Sequence, residues 1–330
     1  MIRSIVISMF GILLPLLCAA QDVSLSQLWT MPSLGNPAAT ATAEEDYRVG
    51  ASYRNQWASV GSPFKTSSAM GEAKLLQKRA GYMGVGAFVR QDKAGASQFG
   101  VFEAFGQAAY HLRAGQKDYL SAGIGVGFRQ RSIVTEGLKW DSQFNGVGHD
   151  PAIDSGESFG NQQSSSIDAS LGVHWQHRKR QHYDIGYAAW HYFQDQGFLT
   201  DTRDPALLTH QLTFNWLQTY GPVDVTYSVS SMKQGGAFTA ITGARAKYRI
   251  GSDSRYTTAK TSSAVTAGIF YRYRDAIIPA IGYEYERKIQ LFISYDVVMS
   301  SLYDASARRG GWELSLIWSD FYADSRMRLR

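Results

Sequence analysis

The chain has 330 residues, a formal charge of +5, 44% hydrophobic, 13% aromatic and only 18% charged residues, and 32 glycines. That length allows one large domain or two ordinary ones, and so mild a charge excess is informative only through its placement. Cys18 is the sole cysteine, so any product that begins after it has no disulfide and no cysteine-ligated metal.

The first twenty residues, MIRSIVISMFGILLPLLCAA, read as a secretory signal peptide. Arg3 forms the positive n-region, Ile5 to Leu17 the apolar h-region, and Cys18-Ala19-Ala20 a small-residue cleavage site before Gln21. The run is short for a transmembrane anchor, and bulky Leu17 argues against a lipoprotein cysteine at position 18. No later stretch approaches the roughly eighteen apolar residues of a membrane helix.

Alternating segments follow instead, separated by turn residues. In chain order they fall near 46–54, 66–75, 80–90, 98–112, 118–131, 164–177, 182–193, 206–219, 221–232, 237–250, 261–273, 276–286, 287–299 and 308–319. These make fourteen, an even number, as a single-chain outer-membrane barrel with both ends in the periplasm requires. In the first segment Tyr47, Val49, Ala51 and Tyr53 are expected to face lipid, with Arg48, Ser52 and Arg54 toward the lumen or its mouth. Val223, Val225, Tyr227 and Val229 alternate with Asp224, Thr226, Ser228 and Ser230. The 237–250 segment groups Arg245, Lys247 and Arg249 on one face. In 287–299, Phe292 breaks an otherwise regular pattern of Ile289, Leu291, Ile293, Tyr295 and Val297.

A soluble β-sandwich also alternates, so two further signals choose between them. Tyr110, Tyr119, Trp175, Tyr183, Trp190, Tyr192, Trp216, Tyr220, Tyr271, Tyr273, Trp312 and Trp318 lie near segment ends, where amphipathic rings suit membrane interfaces. With a periplasmic N-terminus, the inward connections are mostly short and the two longest, 132–163 and 194–205, fall outside. Charge divides the same way. The inward turns 76–79, 113–117, 178–181 and 287–288 hold nine Lys/Arg and no Asp/Glu. Loop 132–163 carries Glu136, Asp141, Asp150, Asp154 and Glu157 against Lys139, and loop 194–205 carries Asp195, Asp201 and Asp204 against Arg203. The expected organisation is a signal peptide at 1–20, a periplasmic segment or plug at 21–45, a transmembrane antiparallel β-barrel at 46–319 and a basic tail at 320–330.

Catalytic signatures are missing: no GxSxG elbow, HExxH pair or P-loop occurs. His174, His177 and His182 surround a basic turn, which disfavours a bound cation, and read as interfacial or turn histidines. Asp150, Asp154 and Glu157 lack an EF-hand register and read as a solvated loop. Nothing pairs a serine with a histidine as an interfacial hydrolase requires. Gly84 and Gly86, then Gly123, Gly125 and Gly127, recur at alternate positions, which makes room on one strand face rather than a phosphate loop. No cofactor and no nucleic-acid partner is expected; the RMRLR end (326–330) suits an anionic periplasmic surface.

The block SQLWTMPSLGNPAATATAEEDYRVGASYRNQWASVGSPFKT (26–66) and the closing RRGGWELSLIW (308–318) resemble the PorP/SprF family of the Bacteroidetes type IX secretion and gliding machinery. The resemblance implies a non-enzymatic outer-membrane protein, surrounded by lipid, that holds or helps export a secreted adhesin or similar cargo through the cargo's C-terminal domain. It also implies a periplasmic, peptidoglycan-associated partner. Its N-terminal motif places Asn36, Pro37, Tyr53, Arg54, Asn55, Gln56, Trp57 and Pro63 as the residues that fix the first strand and outer loop. Lys78, Arg79, Arg178, Lys179, Arg180, Arg287 and Lys288 form the expected basic periplasmic surface. The alternative is a small-molecule channel lined by Arg245, Lys247, Arg249, Glu284, Glu286 and Asp296.

Overall fold

Fourteen antiparallel strands hydrogen-bond in sequence order, and the last pairs with the first to close a barrel. They are β1 (Tyr47–Gln56), β2 (Phe64–Lys78), β3 (Gly81–Ala94), β4 (Phe99–Arg113), β5 (Asp118–Ser132), β6 (Gln163–Arg178), β7 (Gln181–Trp190), β8 (Thr209–Tyr220), β9 (Val223–Gln234), β10 (Ala237–Ile250), β11 (Ser263–Arg272), β12 (Ala276–Tyr285), β13 (Ile289–Val298) and β14 (Arg309–Asp320). This structure, a computed structural model, describes residues 22–323 apart from 60, 96, 136–137, 157–161, 179–180, 194–206, 252–262, 301–305 and 307. The expected signal peptide, most of the basic tail, Lys179, Arg180, Glu136, Glu157, Asp195, Asp201, Arg203 and Asp204 therefore lie outside the described residues. Among those described, no helix is long and apolar enough to cross a membrane.

Closure follows from the register. Tyr47 pairs with Asp320 and Gln56 with Gly311, so β1 and β14 run unbroken against each other and no edge remains. Polarity is inverted relative to a soluble domain. On β5, Leu120, Ile124, Val126 and Phe128 stand exposed, while Ser121 and Gly125 between them are buried. On β1, Val49 and Ala51 face out, and Gly50, Ser52 and Arg54 face in. Apolar side chains outside and polar ones inside require a lipid surround. Aromatic pairs ring both rims, with Tyr47 on Trp318 at 5.4 Å near one end and Tyr53 on Trp312 at 5.3 Å near the other.

Two aromatics of the expected girdles turn inward instead. Trp190 is buried among Phe88 and Phe105, and Tyr119 packs on Tyr82 beneath the Arg178 guanidinium. Trp190 also has a partner inside because the lumen is occupied. Residues 22–46 cross it as turns and bends around three short 3-10 helices, Leu28–Thr30, Pro32–Leu34 and Pro37–Ala39. Leu25, Met31 and Leu34 form one apolar core with Met70, Phe88, Phe105, Ala188 and Trp190 of the wall. Trp29 joins a second with Ile241, Phe270, Ala276, Ile278 and Ala280. Phe292, the break in the β13 pattern, is buried because its ring meets Trp29 edge-on at 4.6 Å.

Strand glycines admit this segment. A Cβ added at Gly123 would lie 2.5 Å from the Ala38 nitrogen, and one at Gly84 would lie 2.3 Å from the Thr40 carbonyl oxygen. Gly172 and Gly186 flank the Asn36 amide just as closely. Gly71, in contrast, faces open space. We expect Gly123→Val to displace the inner segment, lowering the temperature at which the folded band is lost on heated gels and exposing residues 22–46 to protease. Gly71→Ala should stay within about 0.5 kcal/mol of wild type, as surface changes do. Unchanged melting and protease resistance in Gly123→Val would contradict the close fit.

Candidate functional site

The inner segment is tied to the wall at both ends and in the middle. Its path starts at the long-loop end of the barrel, where Asp22 meets groups from β5, β8, β9 and the residue after β7. The Asp22 carboxylate accepts from Arg129 at 3.1 Å, His191 Nε2 at 2.7 Å and the Thr209 hydroxyl at 2.8 Å, and its N–H donates to Gln234 at 2.8 Å. His191 Nδ1 bonds the Asp168 carboxylate on its other side. Burial alone raises the Asp22 carboxyl, but the His191 cation and Arg129 outweigh it and hold the group well below the usual carboxylate range. Burial likewise lowers His191, and the charge of Asp22 with the bonds to both carboxylates carries it up to about 9.

A second tie lies one turn further in. The backbone N–H groups of Ser26 and Gln27 donate to the two oxygens of Glu313, at 2.7 and 3.0 Å. Gln27 Nε2 donates to the Ser294 hydroxyl and to the Glu313 carbonyl, both at 2.8 Å. Arg54 and Arg272 bracket Asp296, each at 2.7 Å, and both reach the Ser26 hydroxyl. Every side chain of this cluster is buried. Charges held this far from water persist only when paired and hydrogen-bonded, as these are.

Further along, Asn36 caps the last 3-10 helix. Its Oδ1 accepts from the Ala38 N–H at 2.9 Å and its Nδ2 donates to the Val173 carbonyl at 3.1 Å. Trp190 Nε1 donates to the Gly35 carbonyl at 2.9 Å, and His111 Nε2 lies 2.8 Å from the Thr40 carbonyl. The segment leaves at the tight-turn end, where Arg178 donates to the Thr42 carbonyl, Lys74 to Glu44 and Gln77 to Asp46. β1 then begins at Tyr47.

The motif residues therefore divide by role. Asn36 and fully buried Pro37 sit in the lumen. Arg54 joins the ion-pair cluster and bonds Gln56 at 3.1 Å. Tyr53 faces outward on Trp312, and Asn55 occupies the same half-buried outer row. Trp57, at φ 57°, ends β1 with its ring on Phe64, and Pro63 closes the loop before β2. They do not form one surface.

The expected basic end is more mixed than its turns indicate. Lys78 and Arg79 are exposed, but Arg178 turns into the lumen, Arg287 lies 3.7 Å from Glu44 and Lys288 lies 3.1 Å from Asp320. Glu286, expected at the end of a strand, belongs to the turn before β13 and adds an acid there. Of the three grouped histidines, His177 stands at the rim beside Asp118, whereas His174 and His182 point into the lumen. In the long loop, Asp150 and Asp154 accept from the backbone N–H groups two residues ahead.

A family model described as the type IX secretion system membrane protein PorP/SprF matches residues 17–318. The chain belongs to the PorP/SprF family. It is an outer-membrane β-barrel of that secretion system. No curated protein matches its sequence. Among solved structures it is similar to a Pseudomonas aeruginosa FadL homologue, at TM-score 0.53 and 10% identity over 87% of this chain and 93% of that one. It is also similar to a mutant of the monoaromatic hydrocarbon channel TodX, at 0.51 and 11% over 88% and 94%. A third is the monoaromatic hydrocarbon channel CymD, at 0.50 and 11% over 92% and 95%. At such identity the likeness is one of fold.

Asp22, His191, Asp168, Arg272, Glu313 and Trp29 escaped the sequence reading as a site. Alternation places the wall residues inward, but only the third dimension brings them to residues 22–30. Because His191 is raised in the folded protein, its stabilisation is complete below about pH 6.5 and disappears as pH climbs through about 9. The upper bound lies between about 3 and about 4 kcal/mol, at about 1.4 kcal/mol per unit. Comparing melting of wild type with His191→Gln from pH 6 to pH 10, we expect the wild-type advantage to shrink across that window. A constant difference would rule out the histidine cation as the anchor.

Proposed function

We propose that this family member is a closed, non-enzymatic scaffold that binds or anchors a secreted cell-surface protein through that protein's C-terminal domain. The single observation that supports a scaffold over a pore is the filled lumen. Barrels of about sixteen strands leave a water channel, whereas about eight strands close on their own side chains. Fourteen strands lie nearer the open case, yet residues 22–46 occupy the interior and are bonded to β2, β4, β6, β13 and β14. Cargo in this reading engages the long-loop end, where Asp141 and Asp154 are exposed and Asp150 is half-buried. A cell-wall-linked partner engages the opposite end, with Lys78 and Arg79 as its first contacts, since Arg287 and Lys288 already have acids beside them. Arg178, at the same end, turns inward to the Thr42 carbonyl, and Lys179 and Arg180 lie outside the described residues.

A small-molecule channel is the second reading, favoured by the fold shared with hydrocarbon channels. The two differ in what accompanies the protein and in what it conducts. Purified from native outer membranes in mild detergent, it should bring with it a large secreted surface protein bound through its C-terminal domain. In planar bilayers it should pass no steady current, while a variant lacking residues 22–45 should conduct. Recovery of the barrel alone, together with wild-type conductance equal to that variant's, would replace the scaffold with the channel.

A further inference from the structure

Between the inner segment and the wall of β6 to β11 lies a cavity of about 210 Å³. Its lining is uneven in a way that the barrel's closure does not explain. One side is apolar and comes from Leu25, Leu28 and Trp29 of the inner segment with Ile241 and Phe270 of the wall. The other carries Arg245, His174, His182 and Asp184.

Arg245 is the unusual member. The strand that holds it, β10, sends three cations inward at alternate positions, and two have carboxylates: Lys247 lies 2.7 Å from Glu284, and Arg249 lies 3.3 Å from Asp224. Among the described residues, Arg245 has no carboxylate within ion-pair distance. Its guanidinium lies 4.5 Å over the Trp29 ring and, among the described residues, makes one hydrogen bond, to the Ser228 hydroxyl at 3.1 Å. A guanidinium has five N–H donors, so one such bond uses a small part of its donor capacity.

Two lining residues each hold a buried polar atom without a protein partner: the indole N–H of Trp29 and Nδ1 of His174. Buried polar atoms left unmatched are uncommon, and each asks for a partner that the chain itself does not supply. Asp184, the one acid in the lining, is already engaged by the Asn215 amide at 2.7 Å and lies 3.7 Å from His174 Nε2. Arg245 feels the Asp184 charge only from beyond ion-pair distance, and the surface beside it is aromatic and aliphatic.

We propose that this cavity binds a small amphipathic carboxylate, with its charge on Arg245 and the Trp29 N–H and its apolar body against Leu25, Leu28 and Phe270. A cavity of about 150 Å³ accepts benzene, so this one has room for a ring or short chain with a carboxylate attached. Arg245 supplies a bidentate fork for the two oxygens. Its stacking on Trp29 holds that fork in place.

Titration calorimetry on the full-length protein in detergent tests this with benzoate and its neutral counterpart benzyl alcohol, and with hexanoate and hexanol. Both carboxylates should bind saturably, each at least tenfold tighter than its alcohol. Tighter hexanoate points to an acyl ligand, and tighter benzoate to an aromatic acid. Arg245→Met should reduce carboxylate binding to the level of the alcohols, while Arg249→Met, on the same strand but outside the cavity, should stay within twofold of wild type. Equal binding of acid and alcohol, no binding of either acid, or full retention in Arg245→Met would overturn the assignment. The acid–alcohol comparison uses wild-type protein, so it decides the matter even where Arg245→Met fails to fold.

Discussion

A chain that crosses lipid must satisfy every backbone N–H and C=O from within, because each group left open there costs several kcal/mol. Everything else in this structure follows from that constraint. It requires a closed sheet, and the ten-residue pairing of β1 with β14 supplies the closure. Closing fourteen strands creates an interior too wide for their own side chains to fill. The interior is then available for another part of the chain, and residues 22–46 take it.

Filling the lumen with protein reverses the usual use of polar inward faces. In an open pore, Arg54, Arg272, Asp296 and Glu313 would be hydrated. Here Glu313 accepts from the backbone N–H groups of Ser26 and Gln27, the other three meet the Ser26 hydroxyl, and all four are buried. Buried ion pairs contribute little net stability, because desolvation cancels much of their attraction, yet breaking one by removing a partner is strongly destabilising. Their value in this barrel is registry. A segment with no regular ladder of its own is placed by a few matched charges and by glycines that leave space at Gly84, Gly123, Gly172 and Gly186. The two ends differ in chemistry. The Asp22–His191–Asp168 tie is ionic throughout, while the tight-turn end relies on side chains that reach backbone carbonyls.

The barrel itself was largely legible in the sequence. Fourteen segments, their order and the inward row of Arg245, Lys247 and Arg249 all follow from a period of two, which local chain geometry imposes wherever one face meets lipid. The failures share one cause. Trp190 looks like a rim aromatic and Phe292 like an error, because they meet a segment distant in sequence and without periodicity, and Tyr119 looks like a rim aromatic because its partners Tyr82 and Arg178 lie on other strands. Basic turns look unopposed because Glu44, Glu45 and Asp46 arrive at the same rim from inside the barrel. The motif from Asn36 to Pro63 was recognisable as a resemblance, but its division into lumen, wall and loop roles was not, since alternation orients a side chain without saying what it meets. Asp22 and His191 carry no local signal at all.

Hydrogen exchange of the protein in outer-membrane vesicles, followed by mass spectrometry of the 22–46 peptides, addresses the central claim most directly. If these residues are built into the barrel, the amides of Ser26, Gln27 and Ala38 will exchange on the timescale of the neighbouring β13 and β14 amides. Exchange of those amides at the rate of an unstructured peptide, with the strands still protected, would mean that the lumen is open and that the segment only visits it.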